Sequence, residues 1–258
     1  MKKCNRINEE NYNYQGCLMK IVEYNQAQSI VAEFQDEYKA RVHTDYRCFK
    51  KGRVKNPYYP EVYEVGMVGN KYITGAHSRH TKEYNAWIHM LGRCYDKKVK
   101  TEYPTYKEVT CCEEWLLFEN FYEWLHSQEN FNKWLNGKGW AIDKDIIVKE
   151  NKIYSPDTCC LVPQNVNSLF AKNNAARGAL PIGVSKNYKN FSASCQNPLT
   201  DKRAYLGTYQ TIEDAFYLGY KPYKVNLIKQ IAQIEYEKGN ITEKCFKSMM
   251  KYRIEITD

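Results

Sequence analysis

The chain has 258 residues, which is long enough for two or three small domains with a sizeable core, and its formal net charge is +8. No signal peptide and no apolar run of membrane-spanning length is visible, so the sequence predicts a cytoplasmic protein without a membrane partner. The ten cysteines include no CxxC spacing, which argues against a zinc ribbon or a disulfide framework and predicts free thiols.

Residues 1–72 predict a small β-rich module. Residues 1 to about 15 lack periodicity and predict a flexible arm, whereas apolar and polar residues alternate from Gly16 onward, with a hairpin turn at 35–37. The segment RCFKKGRVKNPYYP, at 47–60, mixes basic and aromatic residues, a pattern that fits either nucleic-acid contact or an ordinary solvated loop. The candidate contacts are Lys50, Lys51, Arg53 and Lys55.

Residues 73–174 begin with two helical patterns. The first places four apolar side chains on one helical face: Tyr84, Trp87, Ile88 and Leu91. Gly92 predicts the end of that helix, and residues 108–128 carry a second, strongly aromatic face. His77 and His80 precede both helices in HxxH spacing. Because no third ligand lies close in sequence, a surface position is favoured over a zinc site.

The stretch 140–174 predicts two strands and a helix. A strand from Trp140 to Val148 would put Asp143 and Asp145 on one face, and a second strand is predicted around residues 152–154. After an apolar run at 159–163, a helix over 164–172 carries Asn167. Carboxylate and amide oxygens are ligands that Mg²⁺ or Mn²⁺ accepts. The same residue types also fit a solvated strand face and a helix-start Asn.

The phrase DKDI…NKIYSPDTC…VPQNVN resembles the HNH, or ββα-metal, endonucleases, and more closely HNH-like proteins of phages of Gram-positive bacteria. The preceding patterns W…ML.RCY and EEW..F..F..W are similar to the same phage proteins. The resemblance implies that Asp143 and Asn167 bind the metal and that Asp145 supports the metal or its waters. It also implies a catalytic set of Asp143, Lys144 and Asn167, and a phosphate contact from Arg93.

Lys144 occupies the position where the family has its general-base His. A neutral imidazole accepts a proton near pH 6.5, whereas an ordinary Lys stays protonated up to about pH 10.4. Two roles are open for Lys144 if the site is active: a base whose pKa has been lowered, or a point charge on the scissile phosphate. For the middle Asn of the family motif the resemblance offers Asn151, which lies earlier in the chain than the motif has it.

Residues 175–258 predict three short strands within 181–209, then a long helix opened by Thr211 that Pro222 should interrupt or kink, and a last short helix. The patterns GV, F.A, LG.Y.T and EDAFYLGY in this order resemble the plant ethylene-response-factor type of DNA-binding domain. In that family the sheet enters the major groove. The resemblance implies DNA contacts from Lys186, Tyr188, Lys189, Lys202 and Arg203.

The sequence thus predicts an α+β protein of three modules: an N-terminal antiparallel β module (1–72), a central helical and ββα-metal core (73–174), and a three-stranded sheet with a helix (175–258). The leading functional prediction is a phage-type, Mg²⁺- or Mn²⁺-dependent HNH-like endonuclease of double-stranded DNA, with no organic cofactor. The alternative is a catalytically inactive, nuclease-derived phage protein that binds nucleic acid or a host protein, as a regulator or an inhibitor of host defence.

Overall fold

The computed structural model describes residues 6–76, 78–170 and 178–258, so His77 lies outside the described residues. The chain divides into two compact units, Met1–Glu123 and Trp124–Asp258. Helices and antiparallel sheets occur in both, which confirms the predicted α+β class. The three-module division stays a prediction.

The first unit opens with an antiparallel sheet in the strand order β1-β2-β3-β4. Its strands are β1 (Glu10–Tyr12), β2 (Leu18–Gln26), β3 (Ser29–Phe34) and β4 (Arg41–Thr44). Alternation along β2 and β3 buries one face around Met19, Ile21 and Phe34. Helix α1 (Tyr46–Lys50) follows, capped by the Asp45 carboxylate, which accepts from the backbone N–H of Cys48.

The predicted flexible arm is wrong at β1. Glu10 pairs with Lys20 across the sheet, and the Asn11 side chain donates to the carbonyl of Phe49 at 2.8 Å, so side-chain capping of α1 holds this strand in place. Residues 1–5 of the arm lie outside the described residues.

The rest of the first unit is mainly helical. Its elements are β5 (Gly75–Ala76), β6 (Arg79–His80), α2 (Lys82–Tyr95), α3 (Lys97–Glu102), β7 (Thr110–Cys111) and the start of α4 (Phe118–Ser127). Helix α2 ends at Tyr95, three residues after Gly92. A Cβ at Gly92 would lie 2.8 Å from the Tyr63 hydroxyl, so the glycine leaves space for that ring instead of ending the helix.

The second unit has one core shared by a hairpin, a sheet and the C-terminal helices. Its elements are α5 (Phe131–Asn136), β8 (Trp140–Asp143), β9 (Ile153–Tyr154), β10 (Cys160–Pro163), α6 (Gln164–Phe170), β11 (Val184–Asn187), β12 (Asn190–Asn197), β13 (Lys202–Tyr209), α7 (Ile212–Asp214), α8 (Lys221–Glu237) and α9 (Glu243–Met250). Val162, Val166, Ala193, Phe216 and Ile231 are fully buried members of this core.

The helix predicted from Thr211 runs beyond Pro222. A π-helical turn, Ala215–Tyr220, joins α7 to α8, and the backbone N–H of Lys221 donates to the carbonyl of Phe216, five residues earlier. Pro222 lies in the first turn of α8, where the absence of an N–H is tolerated. The departure from α geometry predicted at Pro222 therefore occurs one turn earlier. No helix in the described ranges has the length and apolar character needed to cross a membrane.

Candidate metal and nucleic-acid sites

The hairpin of β8 and β10 leads directly into α6. Asp143 pairs with Cys160 at one end of the antiparallel pair, and Trp140 pairs with Pro163 at the other. The backbone N–H of Gln164 donates to the carbonyl of Gly139 at 2.7 Å, which ties the start of the helix to the start of β8. Strand, strand and helix thus follow one another in chain order, and α6 packs beside both strands.

Asp143 ends β8, so the predicted strand up to Val148 is wrong. Asp143 Oδ1 accepts from the backbone N–H of Asp145 at 2.7 Å and from that of Ile146 at 2.8 Å. This side-chain turn diverts the backbone away from a strand. Asp143 and Asp145 consequently do not share a strand face.

The Asp143 carboxylate keeps one oxygen free. Burial raises its pKa, while the two backbone donors and the Lys144 charge act in the opposite direction. Oδ2 accepts no hydrogen bond from any residue that the structure describes. A half-buried carboxylate with an unused oxygen is a suitable ligand for a hard divalent cation.

Lys144 is directed into the protein and is only 7% exposed. Its Nζ donates to Asp145 Oδ1 at 2.7 Å and Oδ2 at 2.8 Å, and to the carbonyl of Asn151 at 2.8 Å. An ammonium group has three protons to donate, so these contacts use its capacity. These contacts occupy the Nζ of Lys144 inside the protein, and both oxygens of Asp145 already accept from it.

Asn151 holds the turn after β8 together. Its Nδ2 donates to the carbonyl of Lys144 at 3.0 Å and to that of Ile153 at 2.6 Å, while its Oδ1 accepts from the Ile153 N–H at 3.2 Å. Asn151 thereby fixes the path from Lys144 to β9.

Asn167 is half-buried on α6, next to the buried Val166. Its side-chain amide makes no hydrogen bond with the described residues. Asp143 and Asn167 therefore lie on adjoining elements, each with an oxygen available. In the described ranges, no group of three or more His, Cys, Asp or Glu side chains is placed to hold a metal ion. A pair of one Asp and one Asn is a smaller donor set, which Mg²⁺ can use together with water and phosphate oxygens.

The C-terminal sheet has the three predicted strands, in the order β11-β12-β13. One face is buried through Ala193 and Cys195. The opposite face carries hydroxyl and amide groups: Ser185 and Ser192 share a hydrogen bond of 2.9 Å across it. Such groups can donate to and accept from base edges and phosphates.

The predicted DNA contacts lie on different sides of this sheet. Lys186 pairs with Phe191, which packs on the core, and Lys202 pairs with Asn197, whose amide donates to Tyr223 of α8. Cross-strand partners share a face, so both lysines belong to the edge of the helix-covered face. Arg203 alternates with Lys202 and belongs to the open face.

The turn between β11 and β12 carries Tyr188 and Lys189. Both are exposed, and Tyr188 is 95% exposed with φ of +52°. The ring of Tyr188 is thus available for contact at the tip of the hairpin.

Tyr205 is a residue of the open face that the sequence analysis missed. It is 68% exposed, and its hydroxyl lies 2.7 Å from Thr208 Oγ1. The signal was present: alternation along KRAYLGTY puts Tyr205 on the same face as Arg203. An exposed ring beside a guanidinium offers both stacking and charge.

The remaining predicted contacts belong to the first unit. Arg93 is half-buried in the last turn of α2. Four basic side chains around α1 are exposed: Lys50, Lys51, Arg53 and Lys55. Comparison of the chain with models of known protein families, with curated proteins and with solved structures found no match.

Proposed function

We propose that the protein is a divalent-metal-dependent endonuclease that hydrolyses phosphodiester bonds in double-stranded DNA. The observation that carries the proposal is the placement of Asp143 at the end of β8 and of Asn167 on α6, the helix that packs beside β8. Each has a side-chain oxygen without a hydrogen-bond partner among the described residues. The HNH-like phrase around Asp143 gives the same two residues as ligands.

Asp143 and Asn167 would hold one Mg²⁺ or Mn²⁺. The ion would supply electrostatic stabilisation of the scissile phosphate and of the leaving oxygen. Asp143 would serve two purposes, since Oδ1 fixes the turn into Asp145 while Oδ2 accepts from no donor in the described part of the chain. Lys144 acts as a positioning residue that secures this turn through Asp145 and Asn151.

The open face of the C-terminal sheet would bind the duplex. Arg203 and Tyr205 project from β13 on this face, and Tyr188 and Lys189 extend from the neighbouring turn. Base edges in the major groove accept hydrogen bonds from arginine. The serine, threonine and tyrosine hydroxyl groups of the same face can donate hydrogen bonds to phosphate oxygens. This arrangement supports DNA as the substrate.

A second candidate function is a DNA-binding or host-protein-binding protein without catalysis. It is favoured by the three hydrogen bonds that engage Lys144 and by the scarcity of histidine in the second unit. The only His of that unit is His126, whose ring packs 3.9 Å from that of Phe131. A phage regulator or inhibitor of host defence would need the fold but no catalytic general base.

Plasmid cleavage separates the two functions. Supercoiled DNA is incubated with Mg²⁺, Mn²⁺ or EDTA and with the wild type, Asp143→Asn, Asn167→Ala or the exposed control Lys152→Ala. Asn at position 143 keeps an acceptor for the turn but loses the charge, so its folding should be retained. Metal-dependent cleavage that Asp143→Asn abolishes and Lys152→Ala retains is expected. Absence of cleavage by a folded wild type that still binds DNA or a host protein would favour the second function.

A further inference from the structure

Strand β1 and the segment after α1 form one surface of the first unit. The backbone N–H of Tyr14 donates to the carbonyl of Gly52 at 2.9 Å. Gly52 has φ of +64°, and a Cβ at this position would lie 2.9 Å from the carbonyl oxygen of Tyr12. Only glycine permits this close approach. The backbones of Tyr12 and Tyr14 are therefore fixed beside the basic segment 47–55.

Two tyrosine side chains stand out on this surface. Tyr12 is 63% exposed and Tyr14 is 60% exposed. Within the described ranges, neither ring packs against another aromatic ring. β1 is an edge strand of the sheet, and among the described strands it pairs with β2 alone. Both phenol rings thus present stacking faces to solvent.

The cations of the basic segment differ in how they are paired. Lys50 pairs with Glu9 at 3.1 Å, and Lys55 pairs with Glu61 at 3.2 Å. The Glu61 hydrogen bond and charge raise the pKa of Lys55. The exposed cations with no salt bridge to a described residue are Arg47, Lys51 and Arg53.

We propose that this surface, made of Tyr12, Tyr14, Lys51 and Arg53, binds single-stranded nucleic acid. The two rings would stack on unpaired bases, and the two cations would contact the phosphates between them. Bases in a duplex already stack on one another and offer only their edges, so exposed rings of this kind select a single strand. The inference goes beyond duplex cleavage and does not depend on the metal site.

Fluorescence anisotropy of the full chain in EDTA tests the inference. The probes are oligo-dT and oligo-U of about 16 nucleotides, the upper end of the site size for a small β module, and heparin serves as a polyanion without bases. The variants are the double substitutions Tyr12→Ala with Tyr14→Ala, Tyr12→Phe with Tyr14→Phe, and Lys51→Gln with Arg53→Gln. Tyr217→Ala, an exposed tyrosine of the second unit, is the matched control.

The Tyr-to-Ala pair is expected to weaken single-strand binding about tenfold or more, because each base stacked on an aromatic ring contributes about 1–3 kcal/mol. The Tyr-to-Phe pair should bind within about twofold of the wild type, since Phe retains the stacking face. The Lys51 and Arg53 substitutions should reduce the slope of log affinity against log salt by about 1.4. Binding of either oligo-dT or oligo-U fits the proposal, and their ratio distinguishes DNA from RNA.

Two results would overturn the inference. In the first, the Tyr-to-Ala variant binds both oligonucleotides as tightly as the wild type. Heparin then displaces the oligonucleotides, and only the Lys51→Gln with Arg53→Gln variant binds more weakly. The surface would then be a general site for polyanions or acidic proteins. In the second, Tyr217→Ala loses single-strand binding to the same extent as the Tyr12 and Tyr14 pair, which would assign the binding to other parts of the chain. Plasmid cleavage is measured separately, so neither result depends on the metal site.

Discussion

Lys144 and Asp145 are adjacent in the chain and form a short ion pair, with the amine 2.7 and 2.8 Å from the two carboxylate oxygens. The lysine is buried and the aspartate is about half exposed. Because the same amine also donates to the carbonyl of Asn151, the pair closes the turn that follows β8. This turn sets the position of Asp143, so Lys144 acts on the candidate site through its structural contacts.

Replacement of Lys144 by Ala should destabilise the protein by about 2–3 kcal/mol. The substitution leaves Asp145 and the Asn151 carbonyl without their donor. Urea denaturation measures the loss, and Lys152→Ala, an exposed lysine of the same turn, should change stability by less than about 0.5 kcal/mol. A double-mutant cycle with Asp145→Asn isolates the pair. Unchanged stability together with loss of cleavage would instead give Lys144 a chemical role.

Gly183 should tolerate no side chain. It has φ of +79°, and a Cβ there would lie 1.9 Å from the ring of Tyr220, on the π turn. Gly183→Ala should therefore lower the free energy of unfolding by about 3 kcal/mol or more through overpacking and backbone strain. Gly178 has a similar φ of +66°, and no atom of the described residues lies within 4 Å of its Cβ position, so Gly178→Ala isolates the backbone contribution of about 1 kcal/mol. Equal losses in thermal melts would mean that the Tyr220 contact adds nothing.

Lys224 is a buried lysine that should reduce stability at neutral pH. Desolvation lowers the pKa of its amine. Between that lowered pKa and the ordinary value near 10.4, the unfolded chain holds a proton that the folded chain has released. Stability from this group therefore rises with pH across that window, and the full penalty is present below the folded-state pKa. Lys224→Met should stabilise the protein by about 1 kcal/mol at pH 7 and by less at pH 10.

Thermal melts at both pH values test the Lys224 prediction. Lys229→Met, on the exposed side of the same helix, is the control and should change little at either pH. Destabilisation by Lys224→Met at pH 7 would show that the amine makes a stabilising contact that outweighs its desolvation.

The sequence predicts the C-terminal sheet well and the turn after β8 poorly. Strands β11 to β13 alternate regularly and are separated by polar turns, so local pattern is enough to locate them. β8 ends where the Asp143 side chain accepts hydrogen bonds from two backbone N–H groups that a longer strand would use for pairing. Residue alternation does not predict such a side-chain hydrogen bond. The strand predicted to Val148 fails for this reason.

Side-chain roles at the site divide in the same way. The metal-binding roles of Asp143 and Asn167 come from the resemblance and stay a prediction, whereas the partners of Lys144 depend on how the chain returns to Asn151. That path is a tertiary property, so neither role considered for Lys144 from sequence matches its observed contacts. For the sheet, the positive charge of Lys202 and Arg203 was visible, but their separation onto two faces required the cross-strand register.

That separation makes the DNA-binding prediction specific. Arg203 and Tyr205 lie on the open face of β13, while Lys202 lies opposite Asn197 on the other side. Arg203→Gln should weaken binding to duplex DNA about tenfold, since a lost bidentate contact is worth about 1–3 kcal/mol. Tyr205→Ala removes an exposed hydroxyl of the same face and should weaken binding by about fivefold, since one hydrogen bond contributes about 1 kcal/mol. Lys202→Gln removes the same charge as Arg203→Gln and should weaken binding by about twofold or less.

Electrophoretic mobility shifts in EDTA at two salt concentrations measure these affinities without cleavage. Arg203 and Lys202 are adjacent and both exposed, so bulk charge predicts equal effects, whereas face-specific contact predicts a large difference. Equal losses would mean that the strand contributes only its charge. A larger loss for Lys202→Gln would place the DNA at the edge of the sheet beside α8 instead of on its open face.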